Sequence, residues 1–173
     1  MDLEKEIHLD LCEIENATYT VSKDSLEKFL KTLEFEDILQ YVQIPRHPFS
    51  SNSNTTVPQD EAMEDTDKAG VGVGRQDFKF IFDLLKGKGI QKIVKLIVKD
   101  DELYPHSDDA IEELQYFKIE EWDWNKIDLS SVVLRKAAPL VRKVHLWSSG
   151  SHSILRDWSS CDGLNRLLHV CTP

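Results

Sequence analysis

KIVKLIVKDDELYPHSDDAIEELQYFKIEEWDWNKIDLSSVVLRKAAPLVRKVHLWSSGSHSILRDW, residues 92–158, decides the fold: it reads three times as a strand leading into a helix and carries all four tryptophans of the 173-residue chain. Ile93, Val94, Leu96, Ile97 and Val98 form a short apolar run, the pattern of a strand covered on both faces, and it ends in Asp100, Asp101 and Glu102. Pro105 stops extended structure. Ser107 offers a hydroxyl to free helix amides, and Asp108 and Asp109 put negative charge at the positive helix end, so a helix is predicted from Asp108 with Ala110, Ile111 and Leu114 on its apolar side.

Phe117 and Ile119 lead into a second extended segment that finishes at Trp122, Asp123 and Trp124, with the two indoles on one face. Asn125 to Asp128 is the next turn. There Asp128 is predicted to cap a helix through Leu129, Val132, Val133 and Ala137 that Pro139 terminates. The third strand runs from Val141 to Trp147, alternating Val144 and Leu146 with Lys143 and His145, a weaker pattern for two-sided burial. Ser148 to Ser151, with Gly150, turns into a short helix holding Ile154, Leu155 and Trp158.

Strands alternating with helices most economically give a parallel sheet with right-handed crossovers. The expected class is therefore α/β, a small mostly parallel sheet of three to four strands, with leucine-rich-repeat-like stacking as the alternative geometry. Upstream, Phe78, Ile81, Phe82 and Leu85 recur at helical spacing, and Gly87 or Gly89 is placed to end that helix.

Charge divides the chain. Residues 1–69 hold 16 acids against 6 Lys and Arg, residues 70–173 hold 15 against 15, and the formal net charge is −10. Without clustered cations, phosphate-backbone binding is not expected, so nucleic acid is a poor partner. Residues 1–44 read as an N-terminal segment: Ile7, Leu9 and Leu11 alternate and pair with Thr18 to Val21 as a small hairpin. An amphipathic helix then starts at Ser22 or Asp24, carries Leu26, Phe29, Leu30 and Leu33, and continues its apolar pattern through Phe35, Ile38, Leu39 and Val42. Residues 45–74 lose the apolar pattern and read as a disordered acidic linker. Residues 75–168 form the α/β domain and 169–173 a tail.

Chemistry-bearing motifs are sparse. Gly70, Gly72 and Gly74 follow an acidic polar stretch rather than a buried strand, so they do not make a dinucleotide fingerprint. Cys161, His169 and Cys171, with His145 and His152 upstream, fit no zinc spacing, and no metal or cofactor is expected. Ser148, Ser149, His152 and Asp157 contain the residue types of a serine hydrolase. Ser149 lacks the preceding glycine of a nucleophile elbow, and turn and cap serines are the preferred reading. Asp100, Asp101 and Asp123 are expected at the carboxyl edge of the sheet, where open α/β sheets bind ligands and where paired carboxylates hold magnesium or serve as acid and base. Solvated turn residues are the preferred reading there too.

Three cysteines, an acidic N-terminus without a signal peptide's basic start, and no apolar run of about 18 residues point to a reduced, cytoplasmic protein, in which the sequons at Asn16 and Asn54 go unused.

Five segments together resemble a region of large intracellular filamentous-fungal proteins that lies upstream of a subtilisin-like (peptidase S8) serine protease domain: Lys92 to Asp101 (KIVKLIVKDD), Pro105 to Glu113 (PHSDDAIEE), Glu121 to Leu129 (EWDWNKIDL), Ala137 to Leu146 (AAPLVRKVHL) and Ser149 to Ser159 (SGSHSILRDWS). The resemblance covers Arg75 to Leu168 and, more loosely, Phe35 to Pro48. The Asp-centred strand, His-Gly-Thr and Gly-Thr-Ser-Met-Ala motifs of the protease itself do not occur, so the resemblance implies a non-catalytic amino-terminal part or a stand-alone relative. The expected function is an interaction or regulatory module whose partner is a protein or a downstream protease domain in cis. Trp122, Trp124, Trp147 and Trp158, with Ser149 and His152 in the Ser148 to Ser153 loop, are the candidate contacts, at least two of the indoles being expected in the core. The contrasting expectation is a small hydrolase or phosphoryl-transfer enzyme using the acidic sheet edge with His106 and His145.

Overall fold

In the computed structural model of the chain the described residues are 7–12, 22–46 and 75–167. Five strands alternate with helices: β1 (His8–Asp10), α1 (Lys23–Thr32), β2 (Ile38–Ile44), α2 (Asp77–Gly87), β3 (Lys92–Val98), α3 (Asp108–Glu112, running into a 3-10 turn at Glu113–Tyr116), β4 (Lys118–Ile127), α4 (Ser131–Ala137), β5 (Lys143–Trp147) and α5 (His152–Ser159). All neighbouring strands are parallel, and their spatial order is their chain order. The α/β class is as expected, with five strands instead of three or four.

A strand order that never reverses fixes where the helices go. Right-handed crossovers between sequential parallel neighbours would all pass over the same face, so among the described residues one face is expected to be the more deeply buried. Burial follows that rule. Val42 and Ile44, Leu96 and Val98, and Trp122 and Trp124 are buried, whereas Tyr41 and Gln43, Lys95 and Ile97, and Glu121 and Asp123 keep intermediate exposure. The two-sided covering expected of β3 is thus corrected to one-sided.

The three central strands also bury their residues at a common spacing. Leu39, Val42 and Ile44, then Ile93, Leu96 and Val98, then Ile119, Trp122 and Trp124 share the spacing i, i+3, i+5, the strand signature of stacked leucine-rich repeats. The i+3 step breaks the two-residue alternation of a regular strand. Correspondingly, the ladder pairs skip Gln40, Val94 and Glu120 at the same level of three adjacent strands.

The N-terminal segment is the larger correction. Its helix ends at Thr32, and Ile38 to Ile44, expected to continue the helical pattern, is strand β2. β-branched and aromatic residues dominate that stretch, and six register pairs with β3 outweigh its helical apolar spacing. β1 lies parallel to β2 as the sheet's first strand, and the segment expected to pair with it as a hairpin falls outside the described residues. Thr18 to Val21, the linker 47–74 and the tail from 168 lie outside the described residues. The described parts of residues 1–44 and 75–168 share one sheet and one core, which runs from Leu9 and Leu26 to Val141 and Leu167.

Local signals explain the helix limits. Ser22, Ser107 and Ser130 cap α1, α3 and α4, their hydroxyls accepting from the amides of Ser25, Ala110 and Val132. Asp128, expected as the cap of α4, instead takes a positive φ of 58° in the preceding turn. α2 ends as its glycines suggest: Gly89, at φ 83°, donates to Lys86 O and Ile90 donates to Leu85 O, the paired bonds of a left-handed helix stop. No helix among the described residues is long and apolar enough to cross a membrane.

Because β2 and β3 are hydrogen-bonded neighbours, cutting the chain between them should not separate its halves. A protease site inserted between Thr55 and Thr56 is expected, once cut, to leave two fragments that co-elute on size exclusion and part only in denaturant. Separate elution in native buffer contradicts the shared sheet.

Candidate functional site

Two polar centres arise where the repeated strands end, and one polar surface lies along them. The first centre is Asp100, just past β3 and only 1% exposed. A carboxylate out of water needs partners, and Asp100 accepts from four donors: the His106 ring Nδ1 at 2.8 Å, the Trp124 indole Nε1 at 2.8 Å, the His106 amide at 3.2 Å and the Asp101 amide at 2.8 Å. Burial alone would push its pKa up. The bonds from the His106 ring and the Trp124 indole outweigh that and hold it below the usual aspartate value.

His106 is itself buried, stacked on Phe78 with ring centroids 3.7 Å apart. Its carbonyl accepts from Lys126 Nζ at 2.6 Å, and its loop is bridged to Arg75 through the Arg75 amide on Pro105 O and the Ser107 amide on Arg75 O. An Asp–His pair is half of a nucleophile-activating arrangement, but His106 Nε2 meets no hydrogen-bonding partner among the described residues. Among the described residues no hydroxyl or thiol is bonded to that nitrogen. The pair ties the β3–α3 connection to β4 and α2.

The second centre is the turn after β5. Ser149 donates its amide to Asp128 Oδ1 at 2.9 Å and its hydroxyl to Asp128 Oδ2, while Ser148 Oγ also reaches Asp128. The hydroxyl and amide of Ser149 hold the Asp128 carboxyl below its ordinary pKa. Asp157 is engaged elsewhere, accepting from the Ser131 amide and hydroxyl at 2.8 Å each. His152 is exposed at the start of α5. The hydrolase constellation of Ser149, His152 and Asp157 is therefore not assembled: Asp128 takes Ser148 and Ser149, and Asp157 takes Ser131.

The remaining sequence candidates separate by burial. Trp122 and Trp124 are 1% exposed, stack with centroids 5.4 Å apart, and belong to the core. As interface anchors they are corrected, because both lie on the covered side of β4. Trp158 is half-buried and donates to Leu129 O at 2.8 Å. Trp147, 49% exposed at the end of β5, is the indole left facing solvent.

The acidic edge is corrected as well. Asp100 is buried rather than presented, Asp101 turns back to accept from the Leu103 and Tyr104 amides, and Asp123 lies within β4 because that strand runs on to Ile127. No group of three or more His, Cys, Asp or Glu among the described residues is placed to hold a metal ion.

Asp123 does belong to a surface, the open face of the sheet. Strand register sets its side chains in two cross-strand rows: His8, Tyr41, Lys95, Glu121 and Lys143, and above them Asp10, Gln43, Ile97, Asp123 and His145. Neighbours in these rows interact directly. His8 and Tyr41 rings meet at 5.8 Å, Lys143 Nζ lies 3.6 Å from Glu121, and His145 Nδ1 lies 3.4 Å from Asp123. Tyr41 donates its hydroxyl to the Gln43 side-chain carbonyl. Partial burial first, and then the charges of Asp10, Cys12 and Asp123, raise the Tyr41 pKa. Trp147 closes the far end of this face, following Lys143 and His145 on the same side of β5.

Tyr41, Gln43 and Lys95 were not among the sequence candidates. The i, i+3, i+5 apolar spacing is the signal that marks them, since positions i+2 and i+4 are then left on the open side.

Compared with protein-family models, with curated proteins and with solved structures, the chain matches none.

The Asp100 centre makes a measurable claim about stability. Asp100→Ala leaves the His106 ring and the Trp124 indole without their acceptor, and a loss of about 3 kcal/mol is expected in denaturant titration at neutral pH. Since the folded pKa of Asp100 is depressed, its contribution is complete above the unfolded aspartate value and fades as pH falls through the folded one. The difference between wild type and Asp100→Ala should therefore shrink in acid, below pH about 4. A difference that is flat with pH contradicts this.

Proposed function

We propose that this chain is a non-catalytic binding module, and that its open sheet face with Trp147 at one end receives another protein. The observation that carries the reading is the one-sided burial: two rows of aromatic, polar and charged side chains lie side by side on a rigid hydrogen-bonded sheet, with no helix over them among the described residues. Stacked repeats characteristically bind through such a surface, because it is long, rigid and free of the loops that cover the other side. Trp147 supplies a large side chain of the type that anchors protein interfaces.

The resemblance to the region upstream of a subtilisin-like protease domain supports a partner in cis, with this module positioning or restraining the catalytic domain. In this reading the module contributes no reacting group. That accords with the engagement of Ser149 by Asp128 and of Asp100 by His106 and Trp124.

The test has two arms. Incubation with peptide substrates and with a serine-directed fluorophosphonate is expected to give neither turnover nor labelling, and stoichiometric labelling of Ser149 overturns the non-catalytic reading. Photo-crosslinking from position 147 is expected to trap one partner in stoichiometric yield. The partner should be lost in Asp123→Ala or His145→Ala and unaffected by Lys136→Ala on the helical side, with thermal stability changed by no more than about 0.5 kcal/mol. Equal trapping in all three variants overturns the face assignment.

A further inference from the structure

At the amino edge of the sheet, the end away from Asp100 and Trp147, lies a cleft of about 310 Å³ lined by Lys92, Lys118, Glu120, Leu140 and Arg142. Three elements deliver its charges. Lys92 and Lys118 open β3 and β4 and are register partners, and Arg142, which immediately precedes β5, is fixed by its amide on Glu120 O at 2.7 Å. The cations are therefore set by backbone pairing across three strands rather than by chance of side-chain orientation.

One carboxylate stands among three cations. Glu120 takes Lys92 Nζ at 2.6 Å through one oxygen, and Arg142 lies 3.8 Å from the other, beyond hydrogen-bond reach. Lys118 is exposed and has no ion-pair partner among the described residues. Arg142, 65% exposed, keeps most of its guanidinium donors free. The cleft thus carries uncompensated positive charge beside an apolar wall, Leu140, which is 42% exposed.

We infer that this cleft is a binding site for an oxyanion carried on a protein partner, a carboxylate or phosphate group held by Lys118 and Arg142, while the Glu120–Lys92 pair fixes the floor. Arginine offers the forked donors that planar and tetrahedral oxyanions accept, and lysine adds a point charge. Glu120 keeps Lys92 from collapsing across the opening. Leu140 gives the aliphatic part of an acidic or phosphorylated side chain a surface to lie on. This site is separate from the open-face reading above, lying at the other edge, and each can fail without the other.

The test uses the whole chain, labelled with nitrogen-15, titrated in parallel with inorganic phosphate and with acetate against chloride at constant ionic strength. The amides of Lys118, Ile119 and Arg142 are expected to shift saturably, and the double variant Lys118→Ala with Arg142→Ala to weaken that response about tenfold or more. Both substituted side chains are exposed, so the spectrum elsewhere should be preserved, and the single variants Lys118→Gln and Arg142→Gln provide a second reading in which each lowers the affinity. Response to phosphate alone assigns the partner group as a phosphorylated side chain, and response to both anions includes carboxylates. Shifts at the cleft no larger than those at the exposed Lys28 and Lys99, or an unchanged response in the double variant, overturn the site.

Discussion

Among the described residues one face of the sheet is buried and the other only partly so, and the rest of the structure answers to that constraint. A parallel sheet with reversing strand order places helices on both sides and hides both rows of side chains. Here the order is monotonic, and on β2, β3 and β4 the i, i+3 and i+5 residues enter the core. Bulk is concentrated there. Trp122 and Trp124 fill the β4 level that Leu96 and Val98 fill on β3, and the two indoles stack on each other there.

The same geometry explains the Asp100 centre. α3 is a helix of five residues, too short to hold its own connection in place by packing alone. A buried carboxylate collecting four donors from the next strand and the returning loop supplies positional specificity that apolar contacts lack. The arrangement also gives Trp124 a partner for its polar edge, whereas Trp122 Nε1 has none among the described residues.

The sequence made the repeated part legible because local and long-range signals agree there. Ser107 before two aspartates, the helical spacing of Phe78 to Leu85, and the apolar run of Ile93 to Val98 each suit the element they form. It misled at β2, where Phe35 to Val42 carries helical spacing but ends up beside β3; pairing partners distant in sequence decide such a segment, and a linear reading does not see them. The acidic edge was misread for a related reason. Asp123 reads as terminal only if β4 ends at Trp124, and Asp100 reads as exposed because its partners His106 and Trp124 are six and 24 residues away. The open-face residues carry no pattern of their own; they are defined by what the apolar spacing leaves out.

β5 shows how the face and the edge combine. Its inward residues Val144 and Leu146 are only partly buried, although the equivalent positions on β2, β3 and β4 are fully so, and α5 buries none of its residues completely. Burial in a stack comes from the neighbour on each side, and β5 has a neighbour on one. An edge strand also presents unpaired backbone groups, which proteins ordinarily blunt with charge. Lys143 and His145 do this on the open side, but Trp147, Ile127 and Leu155 add exposed apolar surface around the same end of the sheet. Charge at the strand's beginning and apolar surface at its end give this edge a direction, so its carboxyl end suits apolar contact and its amino end resists extension of the sheet along β5.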